Sequence, residues 1–284
     1  STINPLVEHS FSSSNEVDIK DIIINDNKAT IIDREHLLTI LVNNENISFF
    51  DDNNILLNTY FNDGIVYIKD ERYDDFSFNL ERQNKVIILN CRQKGVTMKW
   101  YIDKDKIMLL GSNGNLYNTI HYPEKWGFEG KERFGSSRGY IWSRTIPMIK
   151  DTLIFGKGPD TFAIYFPQYD LVGKLKNFGN ATILVDKPHN YYLQLAFNTG
   201  VLSLIAMLSL FGIYIISSIR LYIKNTSVDY SAQIGKIILA AICGYLAAAF
   251  FNDSNVSVAP VFWVLLGTGF SINHGLRNKT KQLF

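Results

Sequence analysis

The stretch that decides the fold is YYLQLAFNTGVLSLIAMLSLFGIYIISSI, residues 191–219, which contains no Asp, Glu, Lys or Arg. At about 1.5 Å per residue, a helix of this length exceeds the hydrocarbon core of a bilayer, which is about 30 Å thick. Two further uncharged runs follow. The sequence therefore predicts three transmembrane helices, at about 191–221, 234–252 and 254–273. A globular protein with unusually apolar helices is the alternative interpretation.

The positions of lysine and arginine predict the orientation of these helices. All six basic residues after Tyr191 fall in the connection 220–236 or in the tail after Asn273, whereas the link 251–256 carries only Asp253. Basic loops stay on the cytoplasmic side of a membrane. We therefore expect a multi-pass membrane protein with a cytoplasmic C-terminus and an extracytoplasmic N-terminal region.

The composition of the whole chain excludes several classes of protein. Of 284 residues, 46% are hydrophobic, which excludes a disordered chain. The 28 Lys+Arg balance 27 Asp+Glu, so bulk charge predicts no nucleic-acid partner. Small residues such as Gly235 and Ala240 in the second span favour close packing against other helices. Three helices offer them few partners, and the chain starts at Ser1, so we expect further N-terminal transmembrane helices to be missing.

Residues 17–122 contain many short β-branched or aromatic runs, separated by turn sequences such as Asn62-Asp63-Gly64. This pattern predicts an extracytoplasmic, mainly β domain, a small antiparallel sandwich or barrel, after an extended linker at 1–16. A run of acidic residues in it indicates either a calcium or sugar site or a solvated loop. These residues are Asp70, Glu71, Asp74 and Asp75.

Five of the seven prolines fall between 123 and 188, which predicts an ordered but irregular extracytoplasmic loop over 123–190. Ser136 or Ser137 can cap a short helix that begins near Arg138. Trp142, one turn later, then lies at the same angle as Arg138, whereas Arg144 points elsewhere.

Two side chains of this loop are candidates for chemistry. His189 follows Lys187-Pro188 and immediately precedes the first span, which places an imidazole at the outer membrane face. The guanidinium of Arg138 suits recognition of a diphosphate. The alternatives are an interfacial histidine without a role and a surface arginine at a helix start.

Two segments together resemble the O-antigen ligase/polymerase-like (Wzy-type) membrane glycosyltransferases. They are SSRGYIWSRTIPMIKDTLIFGKGPDTFAIYFPQYD, residues 136–170, and DKPHNYYLQLAFNTGVLSLIAML, residues 186–208. In the ligases of that family a histidine is followed by Asn, Ser or Gln, nine residues, a glycine, two residues and a small residue. His189-Asn190, then Gly200 and Ser203, fit this spacing.

An arginine is also expected about fifty residues ahead of the histidine, and Arg138 occupies that place. The resemblance covers roughly 130–275 and implies the C-terminal part of a multi-span protein of GT-C type. Such enzymes take a glycan from an undecaprenyl-diphosphate carrier and pass it to an acceptor hydroxyl, with inversion and without a metal or other cofactor. The implied partners are that lipid-linked donor, a glycan or lipid-linked acceptor, and membrane lipids.

The resemblance also implies roles for individual side chains. His189 would be the general base on the acceptor hydroxyl, and Arg138 would neutralise the departing diphosphate. Weaker candidates are Arg144 and Lys187 for the same anionic group, Asn190 for orienting the imidazole, and Trp142 as an interfacial anchor or sugar platform.

This chain departs from the family in two ways: the family has many more spans, and typical ligases lack a β-rich segment like 17–122. The sequence does not separate a ligase, which moves a finished chain to a different acceptor, from a polymerase, which joins repeat units. A non-catalytic, membrane-anchored glycan-binding or sensor protein is the alternative to either enzyme.

Overall fold

The computed structural model describes residues 19–34, 36–83, 86–224 and 229–282. Within them the chain divides into two compact units. Unit 1 contains the described residues up to Pro123 and the segment Gln168–Leu184, and unit 2 contains Glu124–Pro167 and everything from Val185 onward. The predicted linker 1–16 and positions 225–228 of the predicted cytoplasmic connection lie outside the described residues.

The first sheet of unit 1 is a four-stranded antiparallel meander. Its strands are β1 (Asp21–Asn25), β2 (Lys28–Ile32), β3 (Leu37–Asn43) and β4 (Asn46–Phe50). Side chains alternate between the two faces, as the two-residue period of a strand requires. In β1, Ile22 and Ile24 are buried whereas Ile23 is 48% exposed. One face of this sheet therefore forms part of the apolar core.

The second sheet of unit 1 is a seven-stranded antiparallel meander. Its strands are β5 (Thr59–Asn62), β6 (Ile65–Ile68), β7 (Phe76–Gln83), β8 (Val86–Gln93), β9 (Val96–Asp103), β10 (Lys106–Leu110) and β11 (Leu116–Tyr117). Both sheets contribute to one core, in which Phe49 of β4 contacts Phe78 of β7 with ring centroids 4.5 Å apart. The predicted mainly β region is confirmed, and it consists of two sheets that share one core.

Seven α-helices follow these strands in the part of the chain that the structure describes. They are α1 (Phe134–Ile149), α2 (Phe162–Tyr165), α3 (Leu171–Phe178), α4 (Tyr191–Thr199), α5 (Val201–Lys224), α6 (Tyr230–Ala248) and α7 (Ala259–Gln282). Helix α3 belongs to unit 1 and the others belong to unit 2. The segment predicted as a single loop, 123–190, is therefore shared between the two units.

A fully buried lysine fixes α3 within unit 1. Lys174 Nζ donates to Ser112 Oγ at 2.7 Å and to the side-chain and backbone oxygens of Gln168 at 2.8 and 2.9 Å. Burial lowers the pKa of this ammonium group to about 8, and the nearby carboxylate of Asp170 opposes that shift. Asp170 Oδ1 also caps α3 by accepting a hydrogen bond from the Gly173 amide at 3.0 Å.

In unit 2 the uncharged run that begins at Tyr191 does not form one helix. Gly200 has φ 105° and ψ 156°, outside the helical region, and it separates α4 from α5. A Cβ at this position would collide with the carbonyl oxygen of Ile154. The predicted first span at 191–221 is therefore divided into a short helix and a long one.

Among the described residues, two helices are long and apolar enough to cross a membrane, over Val201–Ile223 and Tyr230–Ala248. Their apolar side chains largely point outward: Ile213 is 62% exposed and Ile216 is 52% exposed. Outward apolar faces of this extent are expected where lipid is the solvent. The third predicted span coincides with α7, which is less apolar, so two of the three predicted spans are supported.

Two buried side-chain hydrogen bonds join α5 to α7. Tyr222 Oη donates to Asn273 Oδ1 at 2.7 Å, and Asn273 Nδ2 donates to Ser218 Oγ at 2.7 Å. The ring of Tyr222 also lies against Gly235 of α6, where any Cβ would collide with it. Small residues thus let these helices approach closely, as the sequence predicted for the second span.

The buried ammonium of Lys174 predicts a pH dependence of stability. Between pH 8 and the ordinary lysine value near 10.4, the unfolded chain holds this proton more tightly than the folded chain. The free energy of unfolding of unit 1 should therefore rise with pH across that window, by on the order of 2 kcal/mol. Thermal unfolding of the full chain in detergent, followed by the β-sheet circular dichroism signal at pH 8 and pH 10, measures this. The variant Lys174→Met should lack the rise, and an equal rise in both proteins would contradict the assignment.

Candidate functional site

The start of α1 has an unusual backbone. Gly135, Ser136 and Ser137 all have left-handed conformations, with φ of 61°, 59° and 66°. Regular helical geometry therefore begins at Arg138, as predicted, but the serines do not have the extended conformation of a helix cap. For residues other than glycine this conformation carries a steric cost, and such strain concentrates at functional sites.

The guanidinium of Arg138 folds back over this left-handed turn. Its Nη1 donates to the carbonyl oxygen of Gly135 at 2.6 Å. Its Nε is buried and has no hydrogen-bond partner among the described residues. Buried donors in folded proteins are almost always paired, so an unpaired one calls for an explanation. An anion bound beside Arg138 would supply the missing acceptor.

Trp142 connects α1 to the segment that carries the histidine. Its indole Nε1 donates to the carbonyl oxygen of Pro188 at 2.8 Å. Its ring is 3% exposed and contacts Phe134, Phe250 and Phe251 edge-on or tilted, at centroid distances of 5.4 to 6.2 Å. The indole therefore has no open face for a sugar in this structure, and it positions the backbone next to the candidate histidine.

Arg138 and His189 lie on either side of this connection. Arg138 precedes Trp142 by one helical turn, and His189 follows Pro188, to which Trp142 is hydrogen-bonded. Both residues belong to unit 2. One buried indole thus links α1, the helix that carries Arg138, to the backbone immediately before His189.

His189 is held by a carboxylate that the sequence prediction missed. Its Nδ1 lies 2.9 Å from Asp253 Oδ2, in the link between α6 and α7. The side chain of His189 is 43% exposed and that of Asp253 is 15% exposed. When the Nδ1–H group donates a hydrogen bond to the carboxylate, Nε2 of the neutral ring carries no proton and has a free lone pair. The arrangement can therefore accept a proton at Nε2 while Asp253 stabilises the resulting positive ring.

The backbone around His189 is fixed on both sides. His189 itself has φ 50°, in the left-handed region. Asn190 caps α4, because its Oδ1 accepts a hydrogen bond from the Leu193 amide at 3.0 Å. The Tyr191 amide donates to the carbonyl oxygen of Ala249 at the end of α6, at 2.9 Å. Asn190 was predicted to orient the imidazole, but in the structure Asp253 makes that contact and Asn190 holds the helix start.

The two weaker basic candidates differ in exposure. Lys187 is exposed, next to Pro188. Arg144 is buried at 7% exposure, where its Nη1 donates to Ser143 Oγ at 2.8 Å and its guanidinium lies over the Tyr140 ring at 4.3 Å. The Arg144 guanidinium is therefore buried against residues of its own helix, whereas Lys187 is exposed.

The acidic run of unit 1 lines a separate polar cavity of about 470 Å³. Its lining residues carry both charges: Asp33, Arg34, His36, Glu71, Arg72, Asp74, Asp75 and Lys94. Arg72, one of the lining residues, forms ion pairs with Asp70 at 2.8 Å and with Asp51 at 3.0 Å. The hydrogen bond from Arg72 lowers the pKa of the Asp70 carboxyl. No group of three or more metal-binding side chains occurs among the described residues, so the calcium interpretation gains no support.

Asp253 could have been singled out by one signal in the sequence. It is the only charged residue in the short link 251–256, between two apolar runs. A carboxylate at the end of a membrane span is costly without a partner. The identity of that partner depends on tertiary structure, since His189 lies 64 positions away.

Removing the indole donor tests how the histidine segment is held. Trp142→Phe leaves the Pro188 carbonyl without its donor, a change that costs about 1–3 kcal/mol for a buried group. Amides of residues 189–193 should then exchange with solvent at least about tenfold faster, as measured by hydrogen–deuterium exchange mass spectrometry in detergent. Trp126→Phe is the matched control, because Trp126 is 70% exposed. Equal exchange in both variants would contradict the positioning role of Trp142.

Comparison with known proteins gives a match on the segment that carries Arg138, Trp142 and His189. No curated protein and no solved structure matches this chain. Two features of the chain agree with this match. They are the membrane-type helices that follow His189 and the spacing of His189-Asn190, Gly200 and Ser203. Residues 105–208 match the family model described as O-antigen ligase, which confirms the resemblance of this chain to that family.

Proposed function

We propose that this protein transfers or polymerises a glycan from an undecaprenyl-diphosphate carrier to an acceptor hydroxyl, at the outer face of the plasma membrane. The hydrogen bond between His189 Nδ1 and Asp253 Oδ2, 2.9 Å long, is the observation that carries the proposal. It provides an oriented imidazole at the start of α4, the short helix before the first membrane-type helix, within the segment that matches the O-antigen ligase family. The family match by itself supports a ligase-type or polymerase-type enzyme in a membrane, and the donor and the side of the membrane are our inference.

In the proposed reaction, His189 is the general base. Nε2 takes the proton of the acceptor hydroxyl, and the oxygen attacks the anomeric carbon of the donor sugar. A new glycosidic C–O bond forms as the C–O bond to the diphosphate breaks, with inversion at that carbon. Asp253 accepts the Nδ1 proton in a hydrogen bond, so it fixes the tautomer and stabilises the imidazolium that forms.

Arg138 is proposed to bind the departing diphosphate. Its guanidinium is charged at any accessible pH and suits paired phosphate oxygens. Among the described residues Nε has no hydrogen-bond partner and Nη1 donates to a backbone carbonyl, so both groups can donate to an anion. The positive charge that a metal supplies in other glycosyl transfers would thus come from this side chain, and Lys187 lies exposed next to Pro188 as a second cation.

Removing the imidazole tests the enzyme proposal directly. His189→Ala should reduce transfer by about 10²–10⁴-fold, the usual contribution of a positioned general base. The assay is attachment and chain length of surface polysaccharide in cells whose only copy of the gene encodes the variant. His274→Ala is the matched control, since His274 lies exposed on α7 and its ring is hydrogen-bonded to Asn278 of the same helix.

The same assay separates the enzyme classes. A ladder of repeat units that disappears in His189→Ala indicates a polymerase. Loss of attachment with unchanged chain length indicates a ligase. Unaltered length and attachment in His189→Ala would contradict both and leave a glycan-binding or sensor protein.

The positioning role of Asp253 predicts a kinetic signature. In Asp253→Asn the new amide can donate to Nδ1, which forces the proton onto Nε2 and leaves no acceptor for the substrate proton. The turnover number kcat should fall about 10²-fold or more, whereas KM for the lipid-linked donor should stay unchanged, because Asp253 does not touch the donor. A purified-enzyme assay of diphosphate-lipid release measures both. A rise in KM with kcat retained would place Asp253 in donor binding instead.

A further inference from the structure

A short segment of unit 2 presents apolar side chains to its surroundings. Leu153, Ile154 and Phe155 are consecutive and are 59%, 63% and 82% exposed. We call these three residues the apolar tip. Ile164 on α2 is also 79% exposed. An uncharged cluster of this kind is unfavourable in water, and on a native protein it marks a surface that something covers.

The apolar tip is fastened to the start of a membrane-type helix. The Leu202 amide, in the first turn of α5, donates to the Leu153 carbonyl oxygen at 3.1 Å. After the tip, the Lys157 amide donates to the carbonyl oxygen of Phe197 in α4 at 2.9 Å. Gly156 lies so close to the backbone of Asn198 that a Cβ there would collide with it. These backbone contacts hold the apolar tip next to the N-terminal end of α5.

Exposed apolar side chains also lie at the start of α5, where the Leu202 amide bonds to the tip. Leu202 and Ile205, in the first two turns of α5, are 61% and 54% exposed. Both belong to the helix over Val201–Ile223 that is apolar enough to span a membrane. The medium around the N-terminal end of α5, water or lipid, therefore surrounds the apolar tip as well.

The residues next to the tip are those that favour a membrane–water boundary. Lys157 Nζ lies 5.2 Å from the ring centroid of Tyr165, which is 50% exposed. Lysine and tyrosine combine an apolar stem or ring with a polar end, and both are enriched at the level of lipid headgroups. The acidic residues Asp151 and Asp160 lie outside the tip on either side of it along the chain.

We infer that the apolar tip inserts into the leaflet that holds the N-terminal end of α5, with Lys157 at headgroup level and lipid acyl chains around Phe155. The inference requires that α5 spans a membrane, and it does not require glycosyl transfer. Where the proposed function also holds, the tip has a second effect. The tip binds the C-terminal end of α4, and the N-terminal end of α4 follows His189. The tip therefore fixes the depth of the imidazole in the membrane relative to a lipid diphosphate.

Site-directed spin labelling tests the insertion. Phe155→Cys is introduced in a Cys243→Ala background, because Cys243 is exposed and Cys91 is fully buried. The labelled protein is reconstituted in phosphatidylcholine vesicles, and the collision rates of the nitroxide with oxygen and with a water-soluble nickel chelate are measured. Ile213→Cys, on the exposed face of α5, is the lipid control, and Thr59→Cys, on the exposed strand β5, is the water control.

The label at position 155 should resemble the label at position 213, with high oxygen access and low nickel access. High nickel access, as at position 59, would overturn the inference, because the tip would then lie in water. Low access to both reagents would also overturn it, since protein rather than lipid would then cover the tip. None of these readings depends on transfer activity, so a failure here is distinct from a failure of the proposed function.

Discussion

The hydrogen bond between His189 Nδ1 and Asp253 Oδ2 is the contact on which the rest of the account depends. It joins the end of an irregular loop to the link between two apolar helices, and it leaves one imidazole nitrogen available for chemistry. Without it, His189 would be a partly exposed interfacial ring with no fixed tautomer. With it, the imidazole has an oriented lone pair and a carboxylate that can stabilise a proton on the ring, the two properties that the proposed general base needs.

The surrounding fold keeps that contact in place through a series of local constraints. Trp142 holds the Pro188 carbonyl, and Asn190 begins α4. The Tyr191 amide bonds to the end of α6, which leads directly into the link that carries Asp253. Gly200 then ends α4, so this helix lies between the histidine and the first membrane-type helix and does not simply extend that helix. Ser136, Ser137 and His189 have left-handed backbone conformations, which are strained for residues other than glycine.

Much of this architecture follows from local sequence patterns. β-Branched runs and Asn-Asp-Gly turns predict most strands of unit 1, and the absence of charge predicts the apolar helices. The helix break at Gly200 was missed, because an unbroken apolar run gives no sign of a bend except the glycine itself. The docking of α3 in unit 1 was missed as well, since it depends on the burial of Lys174, a residue type that is almost never buried unless paired. Asp253 was noticed only for its charge, because its partner is set by tertiary structure.

The most direct test of the central claim is the protonation pattern of the His189 ring. Nitrogen-15 NMR of histidine-labelled protein in proteoliposomes, at a pH where the ring is neutral, distinguishes a proton on Nδ1 from one on Nε2. The His189 signal is assigned by its absence from the His189→Ala spectrum. We expect Nδ1 to carry the proton in a hydrogen bond to Asp253 and Nε2 to be unprotonated. A proton on Nε2, or rapid exchange between both tautomers, would contradict the account.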